Sequence, residues 1–126
     1  MAMDDAYETD LGGARERGMT WAGPTSFCRL PVTRDLTGVD IAVVGIPFDN
    51  ATTNRPGARF GPRAIREQSM LSGEYPDGLW PWGYDVFARH RVIDDADVTY
   101  APGDTEEMLA NVEAEAGRIM DAGASV

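Results

Sequence analysis

A chain of 126 residues with 43% hydrophobic and 25% charged residues has the composition of one globular domain. The net charge of −10, with eleven arginines and no lysine, repels phosphate backbones and argues against nucleic-acid binding. No apolar run approaches the roughly 18 residues of a membrane helix, and a single cysteine, Cys28, rules out an intrachain disulfide and points to a reducing cytoplasm.

Residues 1–24 carry glycines and charges with weak periodicity and read as an arm or tail. The acidic start MAMDDAYETD lacks the apolar stretch of a signal peptide. Thr25 to Val32 form a short semi-apolar element able to pack on the body, and Asp35 to Asp40 a turn. The run IAVVGIPF, Ile41 to Phe48, is apolar and β-branched, which suits a strand buried on both faces of a parallel sheet.

A long loop follows, fixed by Pro56 and Gly57, and then GPRAIREQSML. Gly61 with Pro62 marks a helix start, because proline's missing N–H is no loss at the first helical position. Ser72 to Asp85 read as an aromatic loop. Its Tyr75, Trp80, Trp82 and Tyr84, with Phe87 beyond, suit either a pocket or subunit wall or ordinary packing over the sheet. HRVIDDADV is a second strand with carboxylates at its end. The last helix is capped by Asp104 with Glu107 three residues on, and presents Met108, Leu109, Val112, Ala116, Ile119 and Met120 at helical spacing. Gly123 stops it, and ASV looks like the first residues of a further strand. Strand, loop, helix, strand, helix is the beginning of an α/β parallel sheet, and two strands with two helices leave edges uncovered.

Motif chemistry is sparse. Neither G-x-G-x-x-G nor the P-loop pattern occurs, so a small nucleotide-binding module is disfavoured. The sole histidine, His90, reads as a surface or packing residue rather than a metal ligand. Asp94 and Asp95 point to opposite faces of a strand, and with Asp97 they read as a solvated strand end. Cys28, with no histidine nearby in sequence, reads as structural.

The run VVGIPFDNATTNRPGARFGPRAIREQS, Val43 to Ser69, closely resembles the N-terminal signature of the agmatinase branch of the ureohydrolase (arginase/agmatinase) family. FCRLP before it and PWGYDVF, RVIDDADV and GDTEEM after it extend the likeness over residues 25–126. The resemblance implies the beginning of a three-layer parallel-sheet α/β fold, incomplete here. It implies hydrolysis of a guanidino compound, agmatine first, to urea and an amine. It also implies two Mn²⁺ ions with a bridging hydroxide, and a homo-oligomer, trimer or hexamer. The loop after the first strand is then expected at the active-site rim and subunit contacts, holding Asn54, Arg55 and Arg59. An arginine is not attracted to a cationic guanidinium, so these are expected to pair with carboxylates or a neighbouring subunit.

The family's metal ligands sit in G-G-D-H, D-A-H-x-D and D-x-D motifs, and none of these is present. No catalytic or metal-binding residue is therefore carried onto this chain, which alone is expected to be inactive. The competing expectation is a non-catalytic assembly or regulatory partner that docks on a full-length ureohydrolase.

Overall fold

The structure is a computed structural model and describes residues 21–71 and 83–126. Its centre is a parallel pair of strands, β1 (Ile41–Gly45) and β2 (Val92–Asp97). Ile41 lies opposite Val92, Ala42 opposite Ile93, Val43 opposite Asp94 and Gly45 opposite Asp97, so β2 carries one extra residue before Asp97. Ala96 absorbs the bulge at φ 66°, a left-handed conformation that a non-glycine residue adopts at a cost. The expected strand extended to Phe48; β1 instead stops at Gly45. Pro47 has no N–H for a ladder, and Phe48 N–H turns back to the Ile46 carbonyl at 2.9 Å.

Two single bridges widen the pair. Val32 pairs in parallel with Asp94 on the outer side of β2, with Asp94 N–H donating to the Pro31 carbonyl at 3.0 Å. Ser125 pairs in parallel with Ile41 on the outer side of β1. There, Ala42 N–H donates to the Ser125 carbonyl at 2.9 Å, and Ser125 N–H to the Asp40 carbonyl at 2.8 Å. The spatial order is thus residues 31–33, β2, β1 and residue 125.

The helices lie on opposite faces. Ile41, Val43 and Val92 point to the face where Phe27, Cys28 and Leu30 pack beside α1 (Gly61–Ser69). Ala42, Val44 and Ile93 point to the other face and form a core with Val39, Leu36, Ala124 and Ile119 of the long helix α3 (Thr105–Asp121). Between them in sequence, α2 (Val86–Arg89) is one turn, with Asp85 accepting from Phe87 N–H at 2.8 Å.

Local chemistry sets the helix ends. Glu107 N–H donates to Asp104 Oδ1 at 2.9 Å, while the Glu107 carboxylate reaches the Ala101 N–H at 3.0 Å. At the other end Gly123, at φ 88°, lets its own N–H and that of Ala124 cap the carbonyls of Met120 and Ile119, a Schellman arrangement. The apolar face of α3 is narrower than its spacing predicts: Met108 and Ile119 are buried, but Leu109 and Met120 remain exposed. They flank the stripe rather than lie on it, and no described element covers that side.

Candidate functional site

Winding reverses at β1. The chain passes from β1 through α1 to β2 on one side, then through α3 to Ser125 on the other. In an open parallel sheet the crevice for a ligand lies outside the carboxyl ends of the strands at such a reversal. The loop from Ile46 to Phe60 begins there.

Asp49 organises this loop. Its side chain is fully buried and accepts from Gly57 N–H at 2.7 Å, Arg59 N–H at 3.3 Å and Arg59 Nε at 2.6 Å. The hydrogen bond from the Arg59 guanidinium, helped by the two backbone donors, pulls the Asp49 carboxyl down to about 2. Thr52 Oγ1 donates to the Asp49 carbonyl at 2.6 Å, closing the near limb. From the β2 side, Tyr100 donates its hydroxyl to the Pro47 carbonyl at 2.6 Å and meets Phe48 edge-on with ring centroids 6.1 Å apart. Gly57 sits at φ 144°, which a side chain would oppose.

The three loop residues singled out from sequence therefore divide. Arg59 is held by Asp49, with Asn50 Oδ1 accepting from its Nη2 at 3.4 Å. Asn54 and Arg55 are exposed at the loop tip, where Pro56 keeps Arg55 out of the helical region. Asp49 itself carried no signal in the sequence beyond its place eight residues before Gly57.

The carboxylates of β2 are not a solvated strand end. Asp94 and Asp95 are both buried, and only Asp97 reaches solvent. Each buried carboxylate meets an arginine from the helix on its own face. Arg66 of α1 donates from Nε and Nη2 to the two oxygens of Asp94, at 2.7 and 2.9 Å, and from Nη1 to Asp97 at 2.6 Å. Its Nη2 also meets the Ala96 carbonyl at 2.9 Å. Burial pushes the Asp94 carboxyl up, but the Arg66 fork together with the Phe27 and Ala96 N–H groups more than offsets this, and the net displacement is downward. On the other face Arg118 of α3 pairs with Asp95 and, at 2.8 Å, with Glu115, which also pairs with Arg34.

Gly45 makes the first cluster possible. A Cβ there would overlap the Asp97 carboxylate and come within 2.8 Å of Pro62. Ser69 fastens the end of α1, accepting from Cys28 N–H at 2.8 Å and donating to the Arg66 carbonyl at 2.9 Å. Burial pushes the Cys28 thiol up, which suits a packing role. His90 is exposed, its Nδ1 3.9 Å from the Asp40 carboxylate. Trp80, Trp82 and Tyr75 lie outside the described residues; Tyr84 is partly exposed and carries the Arg89 guanidinium 4.8 Å from its ring centroid.

The donor set of the described residues does not fit a metal. Among the described residues no three His, Cys, Asp or Glu side chains gather as ligands. Asp49, Asp94 and Asp97 are committed to arginines, and the one buried carboxylate oxygen without a hydrogen-bond partner among the described residues is Asp95 Oδ1. A single oxygen beside a guanidinium holds no cation. No described helix is long and apolar enough to cross a membrane.

Known proteins resemble this chain in sequence and in fold. The agmatinase of Chromobacterium violaceum is 37% identical over 131 aligned residues, which cover 98% of this chain and 40% of that enzyme. The agmatinase of Cronobacter sakazakii is 42% identical over 99 residues, covering 77% of this chain and 32% of its own length. The crystal structure of a hypothetical agmatinase from Burkholderia thailandensis superposes with a TM-score of 0.77 at 40% identity, over 83% of this chain and 33% of that one. Proclavaminate amidino hydrolase from Streptomyces clavuligerus gives 0.69 at 31% identity, over 81% and 33%. The chain thus spans about a third of the length of the proteins it matches, and the fold is part of the ureohydrolase α/β fold. The sequence model of the arginase family matches residues 39–126, from the start of the β1 core to the Ser125 bridge, and the chain belongs to that family.

Proposed function

We propose that this chain is the β1-to-Ser125 portion of an agmatinase-type hydrolase that converts agmatine to urea and the matching amine. The observation that carries the reading is the 37% identity to an agmatinase across 98% of the chain. A guanidinium is resonance-stabilised and a poor electrophile, so such a reaction at neutral pH calls for a metal-generated nucleophile. The arginase family is metal-dependent, and two Mn²⁺ ions are our reading of the complete enzyme. The family's metal-ligand motifs do not occur in its sequence, and our reading of this chain's part is architectural. It holds the rim loop through Asp49 and Arg59, and offers Asn54 and Arg55 to substrate-side carboxylates or a neighbouring subunit of a trimer or hexamer. A reducing cytoplasm suits the free thiol of Cys28.

Two assays test this. Disrupting the coding region in its host should abolish Mn²⁺-dependent urea release from agmatine in extracts; undiminished release overturns the substrate reading. The purified 126-residue chain with Mn²⁺ and agmatine should release no urea, and turnover by it would show that the architectural assignment is wrong.

A further inference from the structure

We propose that the outward face of α1 in one copy of this chain docks on the outward face of α3 in the next, so that copies join head to tail. The contact uses two helix faces and no part of the reaction chemistry. It lies apart from the loop-tip residues Asn54 and Arg55.

The two faces carry the same pattern of apolar groups. The backbone is right-handed helical from Phe60 through Met70, so Phe60, Ala64, Glu67 and Leu71, at steps of four, three and four, share one side. On α3 the same steps align Leu109, Glu113, Ala116 and Met120. Phe60, Leu71, Leu109 and Met120 are each more than half exposed. In both stripes the two large apolar groups therefore stand about 17 Å apart along the helix. Each stripe sets one carboxylate and one alanine between them, in opposite order.

Charge selects a second copy as the occupant. Residues 55–66 hold four arginines and no carboxylate, whereas residues 104–115 hold five carboxylates and no basic residue. Several of these are used inside the chain: Arg59 on Asp49, Arg66 on Asp94, Asp104 in the α3 cap and Glu115 on Arg34. Arg63 keeps its guanidinium in water, 3.3 Å from Glu67 of its own helix, and Glu113 is exposed. The net charge of −10 on each copy opposes approach at long range. At contact these two segments attract.

The same groups fix the direction. With the helices parallel, Phe60 meets Leu109, Ala64 meets Glu113, Glu67 meets Ala116 and Leu71 meets Met120. Each carboxylate then faces an alanine, and Arg63, beside Ala64, reaches Glu113. Antiparallel packing sets Glu67 against Glu113, a like-charge pair. Because α1 and α3 cover opposite faces of the sheet, tied to Asp94 and Asp95 respectively, one copy cannot offer both to the same neighbour. The contact is heterologous and adds copies to a ring or a row rather than closing a pair.

The test is native mass spectrometry with sedimentation equilibrium on the 126-residue chain, on Arg63→Glu, on Glu113→Arg and on the variant carrying both. We expect the parent to associate beyond two copies as its concentration rises. Either single reversal sets like charges face to face and should weaken association at least about tenfold, while the double reversal returns it to within about threefold of the parent. A chain that stays monomeric, association that stops at two copies, reversals without effect, or a double variant that does not recover each overturns the proposal. Cross-linking is the second arm and leaves Arg63 and Glu113 in place. Copies carrying Glu67→Cys, mixed with copies carrying Ala116→Cys under copper-catalysed air oxidation, should form mixed disulfides at least about tenfold faster than either variant alone. Cys28, buried in every copy, is the common background. Equal rates for the mixture and for one variant alone refute the head-to-tail contact. Urea release enters neither readout, so loss of the hydrolase reading leaves the contact standing.

Discussion

Asp94 and Asp95 are consecutive residues of β2 whose carboxylates leave opposite faces of the sheet, the first to Arg66 of α1 and the second to Arg118 of α3. Each covering helix is thus tied to one of two consecutive residues of the same strand. A buried carboxylate is tolerable only when paired and hydrogen-bonded, so the positions of both helices are coupled to the charge state of β2. The bulge at Ala96 then brings Asp97 round to the Arg66 side, giving that guanidinium two carboxylates and a carbonyl.

Removing Arg66 should be the most damaging single change on this face. Arg66→Ala leaves the Asp94 carboxylate buried without its fork, a loss of about 3–5 kcal/mol. Arg66→Lys recovers little of it, since an ammonium does not reproduce the bidentate geometry. Urea denaturation midpoints of the two variants should fall together; a lysine variant as stable as the parent would show that charge alone matters here.

Ala96 offers a stabilising change. At φ 66° its Cβ opposes the backbone conformation, and Ala96→Gly should gain about 1 kcal/mol. A lower melting temperature for the glycine variant would mean that the alanine methyl contributes more by packing than its backbone costs.

The framework was legible in the sequence because it rests on local signals. The β-branched run at Ile41 to Val44, Pro62 at the start of α1, the Asp104 cap and the Gly123 stop are read from neighbours a few residues apart. The ion pairs were not. Asp94 lies 28 residues from Arg66 and Asp95 lies 23 from Arg118, so the carboxylates looked like a solvated end until helices placed arginines over them. Alternation correctly put the two on opposite faces, which was the half of the answer that a strand's period of two contains. Asp49 was missed for a related reason: its partners are two backbone N–H groups and the Arg59 guanidinium of a loop whose path no periodicity describes.

Gly45 is a position where the smallest side chain does harm. A Cβ there displaces the Asp97 carboxylate or Pro62, and neither backs away without loosening Arg66 or α1. Gly45→Ala should cost about 1–3 kcal/mol, as overpacking does elsewhere. Pairing it with Asp97→Ala should return part of the loss by clearing the closer neighbour. If the double variant is less stable than the sum of the two singles, the clash with Asp97 is not the cause.

The rim loop should be acid-labile, with the sign fixed by Asp49. Its carboxyl is held down to about 2 in the folded chain, against an ordinary value of about 3.9 when unfolded. A depressed carboxyl contributes stability that is fully present above the unfolded value and is lost as pH falls through the folded one. The loop contacts are therefore intact at neutral pH and weaken between about pH 4 and pH 2. The Gly57 amide, which donates to Asp49 Oδ2 at 2.7 Å, is the reporter. Its hydrogen-exchange protection should fall across that window ahead of the α3 amides around Met108 and Ile119. In Asp49→Asn the charge is gone at every pH, so Gly57 should be poorly protected even at pH 7, with α3 unchanged. Protection of Gly57 that persists to pH 2, or that survives the asparagine substitution, would show that the loop is held by Pro56 and the Tyr100 contact rather than by the Asp49 carboxylate.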